Sequence, residues 1–122
     1  MRRPVPASGL GHLRVVLDEG FYMGPGRADL LAGIEATGSI GAAGKAMGMS
    51  YKRAWSLVQV LNDGFGSPLI ETSRGGSGQG GASLTEAGRE VLARYRAMEQ
   101  KTAIAIAGDL EALKKLRGDR SG

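Results

Sequence analysis

With 122 residues, 42% of them hydrophobic and 23% charged, the chain has the size and make-up of one folded domain. A formal charge of +4 suits a polyanionic partner, and the absence of cysteine excludes disulfides and thiolate metal sites. No apolar run reaches the roughly 18 residues of a membrane span. Residues 1–17 also lack the apolar stretch of a signal peptide, so a cytoplasmic protein without membrane contact is expected.

In chain order, residues 1–9 carry Pro4, Pro6, Ser8 and Gly9 and read as a disordered tail. Leu13, Val15 and Leu17 alternate with Arg14, Val16 and Asp18, which predicts a strand over 12–18. Gly24-Pro25-Gly26 breaks the chain before a helix from about Arg27 to Thr37, with Leu30, Leu31 and Ile34 on one face and Gly38 as its stop. Ser39 caps a short helix, Ile40 to Met47, ending at Gly48. Ser50 caps a third, Tyr51 to about Phe65, ended by Gly66 and Pro68. Leu69–Ser73 and Ala82–Leu84 are strand-like pieces joined by the glycine-rich loop Gly75–Gly81, which makes a hairpin. Thr85, with Glu86 in the first turn, opens a long helix expected to run to about residue 117. Its stripe is Ala87, Val91, Tyr95, Met98, Thr102, Ala105, Leu110 and Leu113, and Gly108 is expected to interrupt or bend it. Residues 118–122 form a tail.

Two glycine patterns invite a nucleotide reading and fail it. Gly76, Gly78 and Gly81 fit G-x-G-x-x-G but lie within a hairpin, not at the strand-to-helix turn of a βαβ unit. Gly41–Ala46 lacks the spacing and the hydroxyl of a phosphate-binding loop. His12 is the only histidine in the chain, so no metal site is expected around it. With no paired carboxylates or nucleophile–base pair in view, no catalytic residue and no enzyme activity are expected.

The informative stretch is the middle. The helices at 40–47 and 51–65 are joined by Gly48-Met49-Ser50 alone, the chemistry of a helix-turn-helix corner. Glycine accepts a left-handed backbone, the apolar residue plugs the angle, and serine satisfies free amides. At about 100° per residue, Val58, Leu61 and Phe65 fall within roughly 40° of Ala54, and Leu57 within about 60°, as one core face. Opposite lie Lys52, Ser56, Gln59 and Asp63, with Arg53 and Val60 on one shoulder and Trp55 on the other. Arginine and lysine can pair with guanine and glutamine with adenine, so this is a DNA-recognition face. Lys45 and Arg74 are expected at phosphates on its edges. An ordinary solvated helix face is the bland alternative; the corner, the hairpin wing and the basic balance together favour DNA. The expected fold class is mainly α with a small β-hairpin wing. Residues 10–84 form a winged helix-turn-helix and 85–117 a long carboxy-terminal dimerisation helix. A protein-interaction or assembly module that does not read DNA is the alternative function, because fold alone does not settle it.

Thr37-Gly38-Ser39-Ile40-Gly41-Ala42-Ala43, Met49-Ser50-Tyr51-Lys52-Arg53-Ala54-Trp55, Leu61-Asn62, Leu69-Ile70-Glu71-Thr72 and Leu84-Thr85-Glu86-Ala87-Gly88 together resemble the amino-terminal DNA-binding domain of ModE-type molybdate-responsive regulators. The Gly-Ser-Ile-x-Ala-Ala piece is shared with the wider LysR-type group. The resemblance covers about residues 12 to 100. It implies a winged-helix dimer that binds promoters of molybdate-transport genes, with Ser50, Tyr51, Lys52, Arg53 and Ser56 facing the DNA. The family's molybdate-binding β-domain has no counterpart before the chain ends at Gly122. No cofactor is therefore expected in this chain, and molybdate would act through a separate effector-sensing partner.

A homodimer is expected on physical grounds as well. A helix from Glu86 to Leu116 would be roughly 45 Å long, more than a small body can cover. The candidate dimer contacts are Val91, Tyr95, Met98, Thr102, Leu110 and Leu113, with help from the first strand. Val91 to Met98 could instead pack on their own domain, a reading hard to extend to Leu113.

Overall fold

A computed structural model describes residues 8–74 and 80–118. Five helices and two antiparallel hairpins follow one another in the order β1 (Val15–Asp18), β2 (Phe21–Met23), α1 (Pro25–Thr37), α2 (Ile40–Ala46), α3 (Tyr51–Gly64), β3 (Ile70–Arg74), β4 (Gly80–Leu84), α4 (Glu86–Ala105) and α5 (Ala107–Arg117). The mainly α fold with a hairpin wing is thus the observed class. Of the expected tails at 1–9 and 118–122, residues 1–7 and 119–122 lie outside the described residues, as does the loop tip at 75–79.

The predicted single strand over 12–18 is instead half of a hairpin. Val15 pairs with Met23 and Val16 with Tyr22, with a bulge before Asp18. Glu19 and Gly20, at φ 45° and 83°, form the tight left-handed turn that joins the strands with the twist they need. Phe21 then packs edge-on against Phe65, ring centroids 5.2 Å apart, and its ring lies over Gly64. This seats the hairpin on the far end of α3. Helix α1 begins at Pro25, two residues earlier than expected, because proline at the first position needs no amide partner and has the right φ.

The core sits between α1, α2, α3 and the wing, and Tyr95 from α4 closes it. Leu30, Leu31, Ile34, Ala54, Leu61, Leu69 and Tyr95 are fully buried. Apolar surface of this kind contributes about 25 cal/mol per Å² removed from water, which is what holds three short helices together. Polar ties fix the orientation of α4. The Tyr95 hydroxyl donates to the Leu13 carbonyl at 2.6 Å. Arg96 bridges to Asp29 of α1 at 2.8 Å and to Glu99 at 3.0 Å. Burial alone would lower the Arg96 pKa; its hydrogen bonds to Asp29 and Glu99 outweigh that and hold it above the ordinary value.

The wing pairs in register from Ile70–Leu84 to Arg74–Gly80, so Gly80 and Gly81 belong to a strand and not to the loop. Its root is fastened at three places. Ala82 donates to the Gly38 carbonyl at 2.9 Å, and Thr85 donates through its amide to Leu69 O at 2.9 Å and through its hydroxyl to Pro68 O at 2.7 Å. Asn62, near the end of α3, accepts from the amides of Leu69 (2.8 Å) and Ile70 (3.1 Å) and donates to Ile70 O at 3.2 Å. Asn62 thereby welds the third helix to the wing. Asn62→Ala leaves two part-buried amides without an acceptor and is expected to cost about 2 kcal/mol. Amide exchange at Leu69 and Ile70 should accelerate first; unchanged protection there would remove the weld.

The long carboxy-terminal helix departs most from expectation. It divides into α4 and α5 at Ile106, the residue between them, and Gly108 lies inside α5 instead of at the break. Both segments keep helical hydrogen bonds across the joint, Ile106 N to Thr102 O at 3.0 Å and Leu110 N to Ile106 O at 2.8 Å.

Candidate nucleic-acid interface

The helix-turn-helix corner is built by small residues and two serine caps. Ser39 Oγ accepts from the Ala42 amide at 3.0 Å, and Ser50 Oγ from the Arg53 amide at 3.1 Å, each satisfying a free donor at a helix start. Between them Gly48 takes φ 76°, a conformation open to glycine at little cost. Inside the corner, a Cβ on Gly44 would stand 2.7 Å from the Ala54 methyl group, so α2 and α3 approach as closely as they do because Gly44 has no side chain. The amide of Met49 bonds back to Gly44 O at 2.8 Å, and Met49 packs against the core as the expected plug.

This corner aims α3. Ala54, Val58 and Leu61 face inward and are buried; Leu57, Phe65 and Trp55 pack beside them. Lys52, Arg53, Ser56 and Gln59 are all exposed, together with Ser50 and Tyr51, so the structure brings these six candidates onto one helix start and its outward face. From Tyr51 to Gln59 that helix has no carboxylate. Tyr51 is 62% exposed yet lies edge-on to Trp55 with centroids 6.2 Å apart, and its ring rests on Gly41. It covers the corner while keeping much of its surface in solvent. Lys45 is exposed in the last turn of α2, on the other side of the turn. Arg74 ends β3 opposite Gly80, and its side chain lies outside the described residues.

Residues 28–89 match the profile of bacterial regulatory helix-turn-helix proteins of the lysR family. The chain belongs to that family. Among its relatives this lysR-family chain is 41% identical over 110 residues to the molybdenum-pterin-binding protein MopB of Rhodobacter capsulatus, covering 85% of itself and 41% of that protein. Over 109 residues it is 35% identical to the molybdenum transport protein ModE of Azotobacter vinelandii (89% and 40% covered). Over 103 residues it is 35% identical to the DNA-binding transcriptional dual regulator ModE of Escherichia coli K12 (83% and 39% covered). It therefore spans about two fifths of the length of these curated relatives. Among solved structures, a CbnR DNA-binding domain in complex with DNA superposes with a TM-score of 0.50 at 22% identity, covering 76% of this chain and 95% of that one. A LysR family transcriptional regulator gives 0.50 at 17% identity, covering 68% and 26%. These likenesses establish the fold, and the sequence relatives bear out the resemblance to ModE-type regulators.

The expected dimer residues of this lysR-family chain are divided by the structure. Tyr95 is fully buried in its own chain, and Val91 and Met98 pack against the same core. The reason is that α4 crosses α1, so the amino-terminal half of the stripe is spent within the domain; as a partner-facing stripe that half is corrected. Thr102 is half-buried and returns its hydroxyl to Met98 O at 2.7 Å. Farther on the apolar residues stand clear: Leu110 is half-buried, and Ile104, Leu113 and Leu116 are 72%, 61% and 83% exposed.

Two cations absent from the expected set gather beside Arg53. Arg14 and Arg27 both stack on the ring of Tyr22, and with His12 and Arg53 they line one cavity of about 300 Å³. The sequence pattern marks Arg14 only as part of a strand and Arg27 only as a helix start. The missing hairpin partner β2 is what hid their neighbourhood.

Proposed function

We propose that this chain binds double-stranded DNA as a homodimer and regulates transcription in the cytoplasm, with molybdenum-related genes, including those for molybdate transport, as its targets. The observation that carries the reading is the outward face of α3. Lys52, Arg53, Ser56 and Gln59 project from a helix whose other side is locked into the core, and no acid interrupts them. Guanidinium, ammonium and amide groups so placed can pair with base edges, while Ser50, Tyr51, Lys45 and Arg74 contact phosphates around them. Residues 10–84 form the DNA-binding unit and 85–117 the dimerisation arm. The role is one of binding, not of catalysis. The molybdenum link rests on the names carried by the relatives. Response to molybdate is assigned to a separate effector-sensing partner.

The test is a gel shift on the DNA upstream of the chain's own gene at two salt concentrations, with and without molybdate. Arg53→Ala is expected to lose on the order of 1–3 kcal/mol of operator affinity and to relax sequence preference. Unchanged affinity and selectivity in that variant would show that α3 is not the reader.

The dimer reading is supported by the bare apolar surface along the end of α4 and α5, together with Val16 and Leu17, 59% and 47% exposed on β1. Leu110, Leu113 and Leu116 also line an open groove of about 630 Å³. Leucines left exposed along one groove in this way are uncommon on a soluble monomer.

A further inference from the structure

We infer that the corner between the β1–β2 hairpin, the first turn of α1 and the flank of α3 is a seat for a DNA backbone phosphate, outside the helix-turn-helix itself; this rests on the DNA-binding reading above. Tyr22 is the keystone. The Arg14 guanidinium carbon stands 3.7 Å from its ring centroid and that of Arg27 3.8 Å. Arg27 also donates to the Tyr22 carbonyl at 2.9 Å. Both stems are thus oriented by one aromatic residue, and both heads line the same cavity of about 300 Å³ as Arg53 and His12.

Three positive charges gathered in one place repel one another, and such a cluster is ordinarily balanced by acids. Among the described residues no carboxylate lines the cavity. Asp29, two residues beyond Arg27, pairs instead with Arg96. Among the described residues neither Arg14 nor Arg53 has a side-chain hydrogen bond or an ion pair, and Arg27 spends one donor of five. The free donors match a tetrahedral oxyanion. What selects the DNA phosphate over a small free anion is Arg53: it belongs to the first turn of α3 and stands at the border between the reading face and this cavity. A strand whose bases meet Lys52, Ser56 and Gln59 carries its phosphates past that border.

The experiment compares the full chain with Arg14→Ala and Arg27→Ala, each beside its lysine counterpart, on the operator and on an unrelated duplex over a range of salt. Each alanine variant is expected to weaken both duplexes alike, by about tenfold. Each should also flatten the slope of log affinity against log salt by about 0.9. The lysine variants, which keep the charge, should retain most of both; this separates lost contact from lost folding, because a misfolded chain would lose selectivity as well. Salt slopes unchanged in both alanine variants, with the parent binding its operator, would overturn this inference and leave the reading helix standing. A parent chain that binds no duplex would overturn both. Calorimetry with inorganic phosphate is the remaining arm: weak or no heat is expected. Micromolar binding that vanishes in Arg14→Ala would assign the seat to a free anion and overturn the DNA assignment.

Discussion

Gly88→Ala is expected to lower stability by on the order of 3 kcal/mol, although the same exchange in an unhindered helix would gain about 1 kcal/mol. Gly88 lies in the first turn of α4, where its amide donates to the capping Thr85 hydroxyl at 3.0 Å. A Cβ there would run into the Leu69 carbonyl oxygen and stand 3.1 Å from its carbon. Neither side can withdraw. The Leu69 carbonyl accepts from Thr85 N at 2.9 Å, the Leu69 amide is held by Asn62 at 2.8 Å, and the Thr85 hydroxyl grips Pro68 O at 2.7 Å. Since the obstacle is backbone, rotamer changes offer no relief. Chemical denaturation should show the loss, with a melting temperature lower by about 4–8 °C per kcal/mol. Gly108→Ala is the matched control, because nothing lies within 4 Å of its added methyl group. If both variants shift stability equally and upward, the wing root is not packed as described.

The second large effect concerns assembly. Leu110→Glu combined with Leu113→Glu should produce monomers and weaken binding to a two-fold operator by about a hundredfold or more, because linked sites lose their effective concentration. Folding should be unaffected, since no residue of α5 is buried. A half-site duplex is expected to bind parent and variant alike, which separates assembly from recognition. Sedimentation gives the mass, and fluorescence anisotropy on the two duplexes gives the affinities. A parent chain that sediments as a monomer at tens of micromolar, yet holds the two-fold site tightly, would refute the dimer.

The parts legible in the sequence are those that short-range chemistry dictates. Ser39 and Ser50 mark helix starts because a hydroxyl there has one favourable use, and Gly48 marks the turn because few residues accept its φ. The face of α3 follows from its period alone. Long-range facts were hidden. Asn62 stood in the resemblance as an unexplained residue; its role needs the wing strand folded back beside it. Tyr95 looked like part of a surface stripe, since periodicity cannot tell which stretch of a long face finds α1 beneath it. Strand β2 is only three residues long and too short to show alternation. Its signal was the Glu19-Gly20 pair, a turn dipeptide lying between two apolar runs.

The joint at Ile106 changes how two reading heads would be spaced. An unbroken rod sets the span of a dimer by its length alone. Here helices of 20 and 11 residues meet at Ile106, with hydrogen bonds from Ile106 N to Thr102 O and from Leu110 N to Ile106 O across the joint, so the span would depend on how the two segments are oriented as well. A single residue added between the Ile106 joint and Leu110 would swing the apolar edge of α5 by about 100°. In a dimer joined through α5, the distance between half-sites would be reset at this joint while the half-site chemistry proposed for α3 stays constant.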